Sequence, residues 1–227
     1  MTPVVLSTKL LNKDQKSCLQ EAEFYLEEYN AITIDLLDFT LPQGFDHYIF
    51  TSKNGVRSYL QHLKVNALPH DPEKRCFCVG QKTKSILEEN GLKVVKMAEN
   101  ALELANFITK HHQNDEFLIF TGNRNRPDLP NTFRRETIHF EEVEVYHTSL
   151  VPRKLEKGFA AILFYSPSGV ESFTRKNMIG NTPVFCIGET TAKEARKHCE
   201  HVVVAEYPTV DSTIQTLIYT LPTLLKQ

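Results

Sequence analysis

Two stretches of this chain, 114 residues apart, spell nearly the same phrase: Phe50-Thr51-Ser52-Lys53-Asn54-Gly55-Val56 and Phe164-Tyr165-Ser166-Pro167-Ser168-Gly169-Val170. A second pair follows each in turn. Cys78-Val79-Gly80-Gln81-Lys82-Thr83 answers to Cys186-Ile187-Gly188-Glu189-Thr190-Thr191, and Lys93-Val94-Val95 before Asn100-Ala101 answers to His201-Val202-Val203 before Thr209-Val210. The spacing from the first phrase to the second is 28 residues in one copy and 22 in the other. Order without fixed length is what two copies of one supersecondary unit leave behind, so the chain reads as two related units.

Each copy alternates apolar runs of strand length with segments of helical period. Tyr48 to Phe50, Cys76 to Val79, Val94-Val95 and Phe117 to Phe120 read as strands, with helices over about Asn54 to Leu63, Thr83 to Glu89 and Ala101 to His111. Near the amino terminus, Val4 to Leu6 reads as a strand, Gln15 to Tyr29 as a helix with Cys18, Ala22, Tyr25 and Leu26 on one stripe, and Ile32 to Leu37 as the next strand. This alternation predicts an α/β fold: parallel sheets covered by helices, in two similar flavodoxin-like domains.

The copies are not end to end. The second begins near Ala161 and runs out near Leu225 without the last strand that the first has at Phe117 to Phe120. Val4 to Leu6, a long helix and Ile32 to Leu37 are the expected replacement, matching Leu118 to Phe120, a helix and Val143 to Tyr146. One domain is therefore expected from residues 1–35 plus 150–227, with 36–149 inserted. Crossings fall near Asp35 to Leu41 and Tyr146 to Pro152, and the ligand cleft is expected between the domains.

Composition narrows the function classes. Lys plus Arg is 26 against 28 Asp plus Glu, a formal net charge of −2, which excludes a generally basic nucleic-acid coat. It leaves room for a local cationic pocket. The five cysteines, Cys18, Cys76, Cys78, Cys186 and Cys199, contain no C-x-x-C pair and read as small buried hydrophobes, Cys76 and Cys78 sharing a strand face. No metal site is expected from their spacing. The apolar run at Met1 to Leu6 is broken by Ser7, Thr8 and Lys9, so no leader is expected, and no apolar stretch is long enough for a membrane span. The expectation is a cytoplasmic protein with reduced thiols.

Ligands of open parallel sheets bind beyond the carboxyl ends of the strands. Ser52, Thr83, Ser166, Thr190 and Thr191 all stand there, after an apolar strand and before a helix. Capping explains each singly, yet a capped helix still presents free N–H groups and partial positive charge to an anion. Lys53, Arg57, Lys82, Lys84, Arg124 and Arg126 lie at strand ends of the first unit. The arginines of Gly122-Asn123-Arg124-Asn125-Arg126-Pro127 are the better anion ligands, since a guanidinium forks onto a carboxylate. His111-His112 is expected to face water, and His147 to point away from Tyr146. G-x-G-x-x-G, Walker, G-x-S-x-G and H-E-x-x-H signatures are missing from the sequence. Asp35 and Asp38 lack the acidic partners that a receiver-type signalling module needs.

Seven motifs taken together carry a resemblance: F-T-S-K-N-G-V, C-V-G-Q-K-T, F-T-G-N-R with Leu129-Pro130 beyond it, V-E-V-Y-H-T, F-Y-S-P-S-G-V, C-I-G-E-T-T-A and Y-P-T-V-D-S-T. In this order, from Val4 to about Leu221, the chain resembles the uroporphyrinogen-III synthase family. The resemblance implies a cyclising hydro-lyase that converts linear hydroxymethylbilane, rich in acetate and propionate groups, to uroporphyrinogen III. Water is lost, the last pyrrole ring is inverted, and neither cofactor nor metal is used. It implies a monomer in haem biosynthesis, with a transient contact to the preceding pathway enzyme, and no nucleic-acid or membrane partner. Tyr146 matches the tyrosine of the family's V-Y-x-T motif and is implied as the group assisting departure of the hydroxyl. Ser52, Lys53, Thr83, Asn123, Arg124, Arg126, Ser166, Ser168, Thr190 and Thr191 are implied as substrate-binding. Glu189, after C-I-G, departs from the family's common form and is unfavourable near an anion. A non-catalytic two-domain protein that closes on an anionic small molecule is the competing expectation.

Overall fold

A computed structural model describes residues 2–69 and 71–225. It divides into two compact units, Met1–Thr33 with Ser149–Gln227 (unit 1) and Ile34–Thr148 (unit 2).

Unit 2 holds β3 (Ile32–Leu36), β4 (His47–Phe50), β5 (Arg75–Val79), β6 (Lys93–Ala98), β7 (Phe117–Gly122) and β8 (Phe140–Leu150) in one sheet, in the order β3-β8-β7-β4-β5-β6. The β8-β7, β7-β4, β4-β5 and β5-β6 pairs are parallel. The helices are α2 (Lys53–Val65), α3 (Gln81–Glu89), α4 (Ala101–His111) and α5 (Asp128–Arg135). Strands covered on both faces must be apolar throughout. All four residues of β4 and all six of β7 are buried. Leu118 and Phe120 face one core cluster with Cys76 and Cys78, while Phe117 and Ile119 face another with Phe77 and Ile108.

In unit 1 the sheet order is β11-β10-β9-β1-β2, all parallel, from β1 (Val4–Ser7), β2 (Tyr25–Glu28), β9 (Ala161–Phe164), β10 (Val184–Cys186) and β11 (Val202–Val204). Its helices are α1 (Lys13–Glu21), α6 (Pro167–Thr174), α7 (Glu189–Ala195) and α8 (Val210–Leu224). Placed beside the order β6-β5-β4-β7-β8, the two sheets correspond strand for strand. The N-terminal β1 and β2 occupy the places that β7 and β8 hold in unit 2.

This arrangement corrects the reading of the amino-terminal region. The helix expected to Tyr29 stops at Glu21, Ala22 caps it, and Glu23 turns the chain at φ 61°. Tyr25–Glu28 is then the edge strand β2, and it, not Ile32–Leu37, is the counterpart of β8. Ile32–Leu36 instead borders β8 in the other sheet. The cysteines are free thiols; burial pushes Cys76 up to about 12 and Cys78 up to about 11, so both stay protonated and inert in the core. No helix is long and apolar enough to cross a membrane, among the described residues.

Candidate active site

The candidate site is built on the end of β7 and the strand beside it. β7 and β8 run in register from Phe117↔Phe140 to Thr121↔Glu144, and then the register shifts so that Gly122 faces Tyr146. This bulge breaks the two-residue alternation. Val143 and Val145 already face the core, and the extra residue lets Tyr146 join them against the same cluster. Glu144 and His147 are left on the outer side, where they pair at 2.9 Å.

Gly122 makes room for the Tyr146 ring. A Cβ on Gly122 would lie 2.4 Å from Cε2 and 2.5 Å from Cζ of Tyr146, closer than any real contact. The ring therefore lies against bare backbone at the strand's carboxyl end. Tyr146 is half-buried, and its hydroxyl has no hydrogen-bond partner among the described residues. Asn123 fixes the same segment from the other side. Its backbone N–H donates to the Tyr146 carbonyl at 3.4 Å, its Oδ1 accepts from the Thr148 N–H at 2.9 Å, and its Nδ2 donates to the Thr148 carbonyl at 3.3 Å. The amide thus continues the β7-β8 ladder beyond the backbone's last pair. Asn123 is occupied in holding Tyr146 to Thr148, a role that its sequence context does not announce.

The loop that follows carries Arg124 and Arg126, both exposed, into α5. Arg126 has no ionic partner among the described residues; Arg124 is engaged.

The helix starts show where hydroxyls are available. Ser52 caps α2, accepting from the Asn54 N–H at 3.2 Å, and Ser166 caps α6, accepting from the Gly169 N–H at 3.0 Å. The caps of α3 and α7 are glycines, Gly80 with φ 83° and Gly188 in extended conformation, without a side-chain bond. Capping by threonine is thus corrected: Thr83 and Thr191 sit inside the first turns, 4% and 3% exposed, and pack into the units rather than reaching outward. Thr190 is exposed beside Thr191, Lys53 is exposed at the start of α2, and Ser168 is half-buried in the first turn of α6. The starts of α3 and α7 therefore have no side-chain cap. Glu189 folds back onto Arg196 of its own helix, and that hydrogen bond holds its carboxyl below the usual carboxylate range. The unfavourable carboxylate is thereby neutralised within α7.

His112 departs from the expected solvated histidine. Its Nδ1 lies 2.8 Å from Asp115, and its ring packs on Phe77 and Phe107 at the amino-terminal end of the sheet.

A family model described as uroporphyrinogen-III synthase HemD matches residues 19–215. The porphyrin biosynthesis protein HemD of Ruminiclostridium josui is 29% identical over 189 residues, 75% of this chain, which spans only 37% of that protein's length. Among solved structures, the uroporphyrinogen-III synthetase of Helicobacter pylori superposes with a TM-score of 0.70 at 18% identity, over 96% of this chain and 99% of that one. A mutant uroporphyrinogen III synthase of Thermus thermophilus gives 0.73 at 16% identity, over 99% and 100%. The structural likenesses establish the two-unit α/β fold, and the sequence match, running through both repeat copies and the Tyr146 bulge, shows that the chain belongs to the uroporphyrinogen-III synthase family.

Proposed function

We propose that this chain closes linear hydroxymethylbilane to uroporphyrinogen III, losing water and inverting the terminal ring. The observation that carries this reading is the Tyr146 phenol: set by a bulge, seated on bare backbone at Gly122, its strand clamped by Asn123, and its hydroxyl without a partner among the described residues. A phenol donates one hydrogen bond. Directed at the departing hydroxyl of the bilane, it assists cleavage of the terminal C–O bond while the pyrrole nitrogen supplies the electron pair. The carbocation so formed is captured by the far ring at the α-carbon that already carries the chain; that ring's bond to the preceding methylene then breaks, the released methylene cation bonds to the ring's other α-carbon, and the proton lost there on rearomatisation balances the one taken up by the leaving water.

Substrate acetates and propionates suit the ligands that the strand-end loops offer. Arg126 supplies a fork for a carboxylate, and the start of α3, which no side chain caps, supplies a weaker anion site. Ser52 and Ser166 are assigned mainly to capping, with Lys53, Arg124, Ser168 and Thr190 as further polar contacts. The protein's main contribution is to hold a flexible chain curled, so that ring inversion outpaces direct closure. The free thiols support a cytoplasmic setting. Action as a monomer, with a transient contact to the enzyme that supplies the bilane, belongs to the same proposal.

Replacing Tyr146 by Phe tests the assignment. The ring still fills its seat, so the melting temperature is expected to hold, while single-turnover rates fall about 10- to 1000-fold. One preorganised hydrogen bond is worth up to about 2.7–4 kcal/mol, and a pyrrole-stabilised cation needs less. Residual product stays isomer III. A folded variant at the wild-type rate would leave Tyr146 as a packing residue.

A further inference from the structure

Unit 1 has a concavity at the other end of its sheet. The strand-end loops lie beyond the carboxyl ends of β9 and β10, whereas Ile162, near the start of β9, and Thr182, before β10, line this pocket of about 530 Å³. One wall is the irregular segment leading into β9, with Lys154 and Lys157; the other is the end of α6, with Arg175 and Lys176. Ile162 and Phe173, each 2% exposed, give it an apolar base. Asn177 joins the walls: its Oδ1 accepts from the Leu155 N–H at 2.9 Å, and its Nδ2 donates to the carbonyls of Arg153 at 2.7 Å and Phe173 at 3.0 Å. The walls are thus held together by the protein itself, without a ligand.

Among the described residues, four cations and no acidic residue line this space, in a chain whose net charge is −2. Arg175 is paired with Glu171 at 3.0 Å. Lys154, Lys157 and Lys176 have no carboxylate at ion-pair distance among the described residues. Complementing the negative end of a helix accounts for Arg175 and Lys176 at the close of α6. It does not account for Lys154 and Lys157, which come from a non-helical segment and face the same space. Like charges gathered around one concavity repel, and a bound anion relieves that repulsion.

We propose that this pocket binds a small organic polyanion: an apolar body, seated on Ile162 and Phe173, bearing two or more negative charges from carboxylate or phosphate groups. The site is separate from the strand-end loops and adds to the function proposed above without depending on it.

Isothermal calorimetry on the full chain tests this with two probes, benzene-1,3,5-tricarboxylate and 1-naphthyl phosphate. One-to-one binding of at least one probe is expected, with the tighter of the two naming the natural charge group. Lys154→Ala combined with Lys157→Ala is expected to weaken it roughly tenfold, the sum of two modest exposed ion pairs. Lys110→Ala, on α4 of unit 2 and not among the pocket's lining residues, is expected to leave it unchanged. The Asn177 side-chain amide resonances should shift on saturation with probe, and melting temperatures of the variants verify that they are folded. Binding of neither probe, or binding that survives the double change, would overturn the proposal.

Discussion

At Gly122 the absence of a side chain is a requirement of the neighbouring strand. The backbone there needs no left-handed conformation; what excludes a Cβ is the Tyr146 ring, 2.4 Å from where that atom would sit. Gly122→Ala is therefore expected to push the ring off its seat. Overpacking of this kind costs about 1–3 kcal/mol, and the misdirected phenol should lower kcat about as much as Tyr146→Phe does. Rapid kinetics beside a thermal melt checks this: a variant with a lowered melt but full kcat would separate the seat from the chemistry. The motif singled out Tyr146, but not the Gly122 seat that its ring occupies. Asn123 was legible only as a polar residue at a strand end, because its partner Thr148 is 25 residues away and the bond depends on where β8 shifts register. Thr83 and Thr191 show the opposite failure. Their position before a helix suggested reach toward a ligand, yet a glycine one turn earlier takes the cap and turns them inward.

The elements divide according to how their ends are encoded. Strands β4, β5 and β7 were readable because covered parallel strands must be continuously apolar. The α1–β2 boundary was not. Helix α1 ends at a non-glycine residue in the left-handed region, Glu23, and β2 is an edge strand whose Tyr25 is 63% exposed, so neither a stop signal nor an apolar run marks the change. Strand β4 starts with a residue that carries a pH prediction. His47 is 8% exposed, and its Nε2 lies 3.5 Å from Asp115, whose carboxylate is already bonded to His112. Burial lowers the His47 pKa below 6.5; Asp115 and the Glu116 backbone oppose the shift, while Arg75 and His112 add to it. The unfolded chain thus binds a proton at higher pH than the fold does. The contribution is complete above about pH 7 and is lost as pH falls through 6.5 toward the lower folded value, at no more than about 1.4 kcal/mol per pH unit for one proton. Denaturant titrations of wild type and His47→Gln at several pH values between 7 and 5 should show a shallower acid loss in the variant. Identical slopes would mean that His47 titrates alike in both states.

For the whole molecule, the repeat decides the architecture. The strand orders match only when β1 and β2 are counted with β9, β10 and β11, so a chain that looks like two tandem copies is one copy interrupted by the other. A net charge of −2 excludes a generally basic surface but says nothing of a local cationic cluster. Binding of an acid-rich bilane should weaken with salt, because exposed charge contacts are screened beyond about 8–10 Å at ordinary ionic strength. Arg126→Ala should raise KM more than Lys84→Ala, because Lys84 is already engaged with Glu88 at 3.7 Å and Arg126 has no described ionic partner. Equal, negligible changes would make the basic cluster a solvated face.

The reaction itself is tested most directly by the isomer formed. Freshly prepared hydroxymethylbilane closes unaided to the symmetric macrocycle, so rate alone is an incomplete criterion. Incubated with this protein, and resolved by chromatography after oxidation to the porphyrins, the bilane is predicted to give isomer III as the main product, at a rate proportional to protein concentration. Isomer I in the same amount as a protein-free control would contradict the assignment and leave a two-unit protein that holds an anion without transforming it.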